Sequence, residues 1–312
     1  MKKIKKWLLG VFATVASALL LAGCGFPGLS GTSSDTIRIA SQNTTEQQIM
    51  AYMIQDMIKH YSNLNTTIIN NLGSGTVSFN ALKNDQADIS AIRYTGTDLT
   101  TILGEKMDRS NNIKSIDQKV RSQFNSKYQM TYFPSYGFAD TYAFMVTKAT
   151  AKKYHLNTVS DMKKVASKLT VGLDQIWTER KGDGYPAFKK LYGFQFGKTY
   201  PMQIGLVYDA LESGKMDAIL GYSTDGRIGS YDLKILKDDK NFFPPYNASA
   251  VATNKILKAH PKLKPILNRL NGKISLETMQ NLNYQVDNNL VEPEVVAKQF
   301  LEKHNYFEGS DK

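Results

Sequence analysis

Hydrophobic positions alternate between two spacings along this chain. Residues 36–41 (TIRIAS) switch between apolar and polar and predict a short strand. Residues 45–61 (TEQQIMAYMIQDMIKHY) set Ile49, Met50, Met53, Ile54, Met57 and Ile58 at helical spacing, and residues 65–72 (NTTIINNL) predict a second strand. This βαβ opening implies a parallel sheet with a right-handed crossover. Residues 76–93 continue it as a helix and a further short strand. The second half follows the same alternation. There DMKKVASKL reads as a helix, LTVGLD as a strand, and IGLVYDALESGKMDAILGYS as a helix ending at Gly214 followed by a strand into Tyr222. From residue 254 the pattern is helical to the end, with Pro293 in the first turn of the last helix, where a missing N–H costs nothing.

Two segments share one order of parts. ALKNDQADISAIRYTGTD and ALESGKMDAILGYSTDGR each read helix, polar turn, aspartate, apolar strand, tyrosine, then threonine and aspartate. Either this common pattern recurs by chance, or two lobes each present a tyrosine at the C-terminal end of a strand, where α/β sheets bind ligands.

The N-terminus adds an address. Four lysines within residues 2–6 precede an uncharged run from Trp7 to Leu21, which closes on Leu-Ala-Gly-Cys with Cys24 the only cysteine. Such a run is short for a membrane span, which needs about 20 residues. It reads as a lipoprotein signal peptide over 1–23, with Cys24 the lipidated residue and 24–35, rich in glycine and serine, a flexible tether. An uncleaved anchor is the alternative reading. Cys24 then places the chain outside the cytoplasm on the cell membrane, and a Gram-positive host is suggested. Removing 1–23 takes four lysines and no acidic residue, so the formal charge falls from +11 to +7. The rest is spread in pairs such as Lys152-Lys153, Lys163-Lys164 and Lys189-Lys190, which read as solvated faces; no nucleic-acid motif accompanies them. About 275 residues remain after the tether, enough for two lobes.

Catalytic and metal patterns are missing. His60, His155, His260 and His304 stand apart without metal-ligand spacing, and no second cysteine offers a thiolate site. LGSGT at 72–76 lacks both the third glycine of a dinucleotide fingerprint and the lysine of a phosphate loop; it reads as a turn whose amides face a cleft. No serine sits in a nucleophile elbow. The expectation is therefore no catalytic residue, no metal and no cofactor, with an exported hydrolase as a minor alternative. What is abundant is tyrosine: 17 in all, against two tryptophans. Several tyrosine faces can enclose a quaternary ammonium, a cation whose methyl groups block hydrogen-bond donation, at roughly 0.5–2 kcal/mol per face. The composition alone leaves most tyrosines as core or surface residues.

Across TIRIASQ, NLGSGTV, IRYTGTDLT, YGFADTYAF, TYPMQIGLVYDALESGKMDAILGYSTDGRI, LKDDKNFFPPY, MQNLNYQVD and VAKQFLEKH, the chain resembles the osmoprotectant-binding lipoproteins of bacterial ABC importers, the glycine betaine, carnitine and choline receptors of the OpuC type. The resemblance implies an α/β, two-lobed periplasmic-binding-protein-like fold of type II, with a ligand cleft between lobes joined by a two-crossing hinge. Residues 36–139 with 246–307 would form one lobe and 140–245 the other. It implies a tyrosine cage of Tyr94, Tyr142, Tyr222 and Tyr246, with polar contacts from Gln42 and Thr97 to the other end of the ligand. Relatives that carry aspartate where Thr97 stands would repel a ligand carboxylate, whereas a hydroxyl donates to it, so Thr97 favours zwitterions alongside choline.

Tyr94 and Tyr222 follow strands of different lobes, while Tyr142 and Tyr246 fall near the two crossings. A cage so divided is complete only when the cleft is shut, so ligand shifts the open and closed populations. The partners implied are a quaternary ammonium solute and the permease and ATPase of an importer; the receptor itself would be a monomer. A polyamine site would ask for several carboxylates and an amino-acid site for an arginine; neither is evident near the motifs. Arg93 adjoins Tyr94 but points to the opposite face of its strand and reads as structural.

Overall fold

The structure, a computed structural model, describes residues 36–106, 113–180, 184–243 and 246–308. Cys24, the expected signal peptide and the tether lie outside the described residues. Among the described residues ten strands form two five-stranded sheets. The first has the order β2-β1-β3-β10-β4, from β1 (Thr36–Gln42), β2 (Asn65–Leu72), β3 (Ile89–Tyr94), β4 (Met130–Tyr132) and β10 (Ala248–Thr253). The second has the order β7-β6-β8-β5-β9, from β5 (Tyr142–Thr147), β6 (Thr170–Asp174), β7 (Lys198–Met202), β8 (Ala218–Tyr222) and β9 (Leu233–Ile235). Helices cover both, giving an α/β fold in two lobes.

Neither sheet is purely parallel, which corrects the expectation from the βαβ opening. β1 and β3 pair in parallel, as do β6 with β7 and with β8, but β10 runs antiparallel to β3 and β4, and β5 antiparallel to β8 and β9. The exceptions, β5 and β10, are the strands that enter a sheet directly after the chain has crossed from the other. No helical crossover precedes them, so nothing obliges them to run parallel. The two crossings lie side by side: Ala139 and Asn247 form an antiparallel bridge, and the Asp140 amide donates to the Tyr246 carbonyl at 3.2 Å.

Periodicity turns into burial as expected in the Thr45–Tyr61 helix, where Ile49, Met50, Met53, Ile54, Met57 and Ile58 are all sealed against the first sheet and the C-terminal helices Leu276–Asp287 and Pro293–Lys303. The second lobe packs around aromatic residues, among them Phe144, Trp177, Phe188 and Phe242. Lysines 152, 153, 163, 164, 189 and 190 are exposed. Residues 161–169, expected as one helix, hold two short 3-10 turns instead, Ser160–Lys164 and Ala166–Lys168. The Asp161 carboxylate accepts from the amides of Asn157 and Thr158, and Val159 donates to Lys237, so the segment starts tied to an extended neighbour. The helical run after residue 254 breaks into Asn254–Ala259 and Leu263–Asn268, because Pro261 holds His260 out of helical geometry (ψ 78°).

A second contact joins the lobes away from the crossings. Gln280 and Asn283, on the Leu276–Asp287 helix, donate to the carbonyls of Ser223 and Thr224 at 2.7 and 2.9 Å. The loop after β8 lies so close to that helix that a Cβ on Gly226 would stand 2.5 Å from Tyr284 Cα. Among the described residues no helix is long and apolar enough to cross a membrane.

Candidate functional site

Between the two sheets lies a cavity of about 150 Å³, small beside the roughly 300–1,000 Å³ of pockets that take drug-sized ligands. Tyr94, Tyr142, Tyr222, Tyr246, Gln42 and Thr97 all line it. The fold explains why they converge. Gln42 and Tyr94 are the last residues of the parallel neighbours β1 and β3, and Thr97 stands in the turn that follows. Tyr222 ends β8 and Tyr142 begins its antiparallel partner β5, so the two are in direct register, with ring centroids 5.2 Å apart at 47°. Tyr246 stands at the second crossing.

Three of the rings are fixed by hydrogen bonds. The Tyr208 hydroxyl accepts from the Tyr222 amide at 2.7 Å and donates to its carbonyl at 2.9 Å, clamping the backbone at the strand end. Glycine is required just before it, because a Cβ at Gly221 would lie 2.4 Å from that hydroxyl. The Tyr142 hydroxyl donates to Asp174 at 2.8 Å; Asp174, at the end of β6, also caps the next helix by accepting from the Ile176 and Trp177 amides. The Tyr94 hydroxyl donates to Glu46 in the first turn of the Thr45–Tyr61 helix. Burial raises the hydroxyl pKa of Tyr94, Tyr142 and Tyr222, with the Glu46 charge adding to it at Tyr94 and Asp174 at Tyr222. These side chains therefore stay neutral and offer a cation ring faces rather than phenolates.

The same wall holds residues that the sequence motifs did not single out. Arg180 lines the cavity with its guanidinium carbon 5.7 Å from the Tyr142 ring centroid, carried there by the short helix Gln175–Glu179 after β6. This corrects the expectation that no arginine stands near the motifs: a cationic, bidentate donor faces the cleft, fit for a carboxylate. Nothing in its local sequence marks it: it stands in a charged run, and only the helix after β6 brings it to the cleft. Asp140, two residues before Tyr142, also lines the cavity, as do Thr44, Gln47 and Gly75. Gly75 opens the helix after LGS, so the expected turn does border the cleft.

Arg93 faces away. Its buried guanidinium pairs with Asp98 through Nε at 2.7 Å and a second bond from Nη2, donates to the Gly75 carbonyl at 2.8 Å, and lies over the Phe79 and Phe124 rings. Tyr132 donates to the same Asp98 at 3.1 Å. Among the described residues no group of histidine, cysteine, aspartate and glutamate is arranged to hold a metal.

A family model described as the substrate binding domain of ABC-type glycine betaine transport system matches residues 35–303. The chain is 53% identical to the carnitine transport binding protein OpuCC of Listeria monocytogenes, over 99% of this chain and 100% of that protein. It is 33% identical to the ergothioneine transport permease and binding protein EgtU of Helicobacter pylori, over 85% of this chain and 47% of that one. Among solved structures, one described as a glycine betaine/carnitine/choline ABC transporter superposes with a TM-score of 0.81 at 54% identity, covering 87% of this chain and 100% of its own.

Proposed function

The chain belongs to the family of substrate-binding domains of ABC-type glycine betaine transport systems, and from that premise we propose that it captures quaternary ammonium solutes such as glycine betaine, carnitine and choline and hands them to the permease and ATPase of an importer. The observation that carries this reading is the convergence of four tyrosines on one small cavity that also holds Arg180. Ring faces take the ammonium group. Arg180, with Gln42 and Thr97, takes the carboxylate of a zwitterion. The receptor turns nothing over, works as a monomer, and needs neither metal nor cofactor.

In this reading residues 36–139 and 246–307 form one lobe and 140–245 the other, and the ligand stabilises their closed arrangement by its differential affinity for it. Cys24 carries lipid that holds the receptor on the outer face of the cell membrane. Loss of palmitate labelling in Cys24→Ala checks that part.

Calorimetric titration of the protein with glycine betaine, carnitine and choline tests the function: saturable binding of at least one is expected, and no heat from any of the three would overturn the ligand class. Arg180 also supplies the arginine that an amino-acid site would use, so proline and glutamine belong in the same panel. Their binding in place of the three would move the reading to that alternative.

A further inference from the structure

At the hydroxyl end of the Tyr94 ring lies a carboxyl pair, Glu46 with the cavity-lining Asp140, that the proposed site does not yet use. Glu46 accepts the Tyr94 hydroxyl through Oε1 and is only 4% exposed. Its carboxyl lies against Asp140, Thr224 and Asn283. Its second oxygen, Oε2, is buried and closes no hydrogen bond, and the same is true of Asp140 Oδ1. None of these neighbours is cationic. Two carboxyls packed together without a counter-ion resist ionising together, so at least one stays protonated and the pair carries at most one negative charge. Burial pushes both acids upward, and at Asp140 the Glu46 charge adds to the rise. The position is central: Glu46 comes from the first lobe, Asp140 from a crossing, Thr224 from the loop after β8, and Asn283 from the helix that binds this loop.

We propose that Glu46 is a positioning and specificity residue of the cleft: it fixes the Tyr94 ring by accepting its hydroxyl, and its carboxylate, the single negative charge of the pair, stands beside the cage and favours ligands of net positive charge over zwitterions. The proposal rests on the quaternary ammonium reading. Its physical basis is twofold. A phenol that donates to a carboxylate has a more electron-rich ring face, which strengthens its attraction for a cation. The charge also acts directly on the bound ammonium, and in a zwitterion the ligand's own carboxylate, a few bonds away, cancels part of that attraction.

Titrations of the full chain with choline and with glycine betaine, on the parent and on Glu46→Gln, test this. Glutamine keeps an acceptor for Tyr94 and the side-chain size but removes the charge. Choline affinity is expected to fall roughly tenfold and glycine betaine affinity by no more than about a third of that factor, so the ratio of the two moves. Equal loss for both ligands, as a merely structural role would give, or no change for either, would overturn the proposal while leaving the ligand class intact. A parent that binds neither ligand would overturn both readings together. Should Glu46→Gln fail to fold, Asp140→Asn decides: its amide donates to Glu46 and leaves the charge there, so the choline-to-betaine ratio should match or exceed the parent's. A ratio below the parent's would sink the idea.

Discussion

Replacing Gly221 with alanine should loosen Tyr222 without touching the cavity wall itself. The added methyl carbon would lie 2.4 Å from Tyr208 Oη and 2.6 Å from Cζ, at least about 1 Å inside the roughly 3.5–4.0 Å at which carbon contacts are favourable. Tyr208 has nowhere to go: it is fully buried, with the Arg227 guanidinium carbon 4.5 Å from its ring centroid. Displacing its hydroxyl breaks both bonds to Tyr222, at about 0.5–1.5 kcal/mol each. Overpacking adds about 1–3 kcal/mol. The total of about 2–6 kcal/mol corresponds, for a chain of this size, to a fall in Tm of about 3–10 °C. Ligand affinity should drop about tenfold as the Tyr222 ring shifts, since 1.4 kcal/mol of lost contact suffices. Tyr208→Phe is the control: it removes the same two bonds without added volume, so its fall in Tm should be smaller. Scanning calorimetry and titration read both effects. A Gly221→Ala protein with the parent's Tm and affinity, or a Tyr208→Phe protein less stable than it, would refute the reasoning.

Other consequences are as direct. Arg180→Gln should lower affinity for glycine betaine and carnitine by about 10- to 150-fold, the worth of a charge-assisted hydrogen bond, while choline, which has no carboxylate and is freed of a like charge, binds no more weakly than before; titration with all three checks it. Asp98→Asn should destabilise the protein by about 3–5 kcal/mol in urea unfolding, because it leaves the Arg93 charge, 1% exposed, without its partner. The Glu46 and Asp140 carboxyls are raised by burial, so the folded chain binds more protons than the unfolded one above about pH 4. Their contribution to stability is fully present below that pH and is lost as pH rises through their folded values. The groups facing them are the Tyr94 hydroxyl, Thr224 and Asn283, with Asp225 adding repulsion. The stability of the parent minus that of Asp140→Asn, measured by urea unfolding from about pH 4 to 8, should therefore decline with pH; a flat difference would contradict it.

The parts of this fold that are legible in the sequence are those built from local contrast. The Thr45–Tyr61 helix and strand Asn65–Leu72 appear with the expected bounds, the helix because its apolar residues share one face and the strand because a β-branched run is bounded by asparagines. Tyr94 and Tyr222 are readable as strand-end residues because each closes an apolar strand before a threonine-containing turn. What escapes a sequence reading depends on distant partners. The antiparallel entry of β5 and β10 follows from the crossings, which leave no mark in hydropathy. Glu46 reads as an ordinary first-turn acid of its helix until Tyr94, 48 positions away, is folded onto it. Arg180 sits in TERKGDG, a stretch indistinguishable from a solvated charge run, and only the helix after β6 turns it toward Tyr142.

Tetramethylammonium tests the tyrosine cage with the fewest other contributions, because it offers the cleft nothing but a quaternary head. Calorimetric titration of the parent beside a Tyr94→Ala, Tyr222→Ala double variant should show saturable binding by the first and none by the second, together with competition against glycine betaine on the parent. Binding that survives the loss of both rings, or a parent that takes glycine betaine but is not competed by tetramethylammonium, would contradict an ammonium held by aromatic faces.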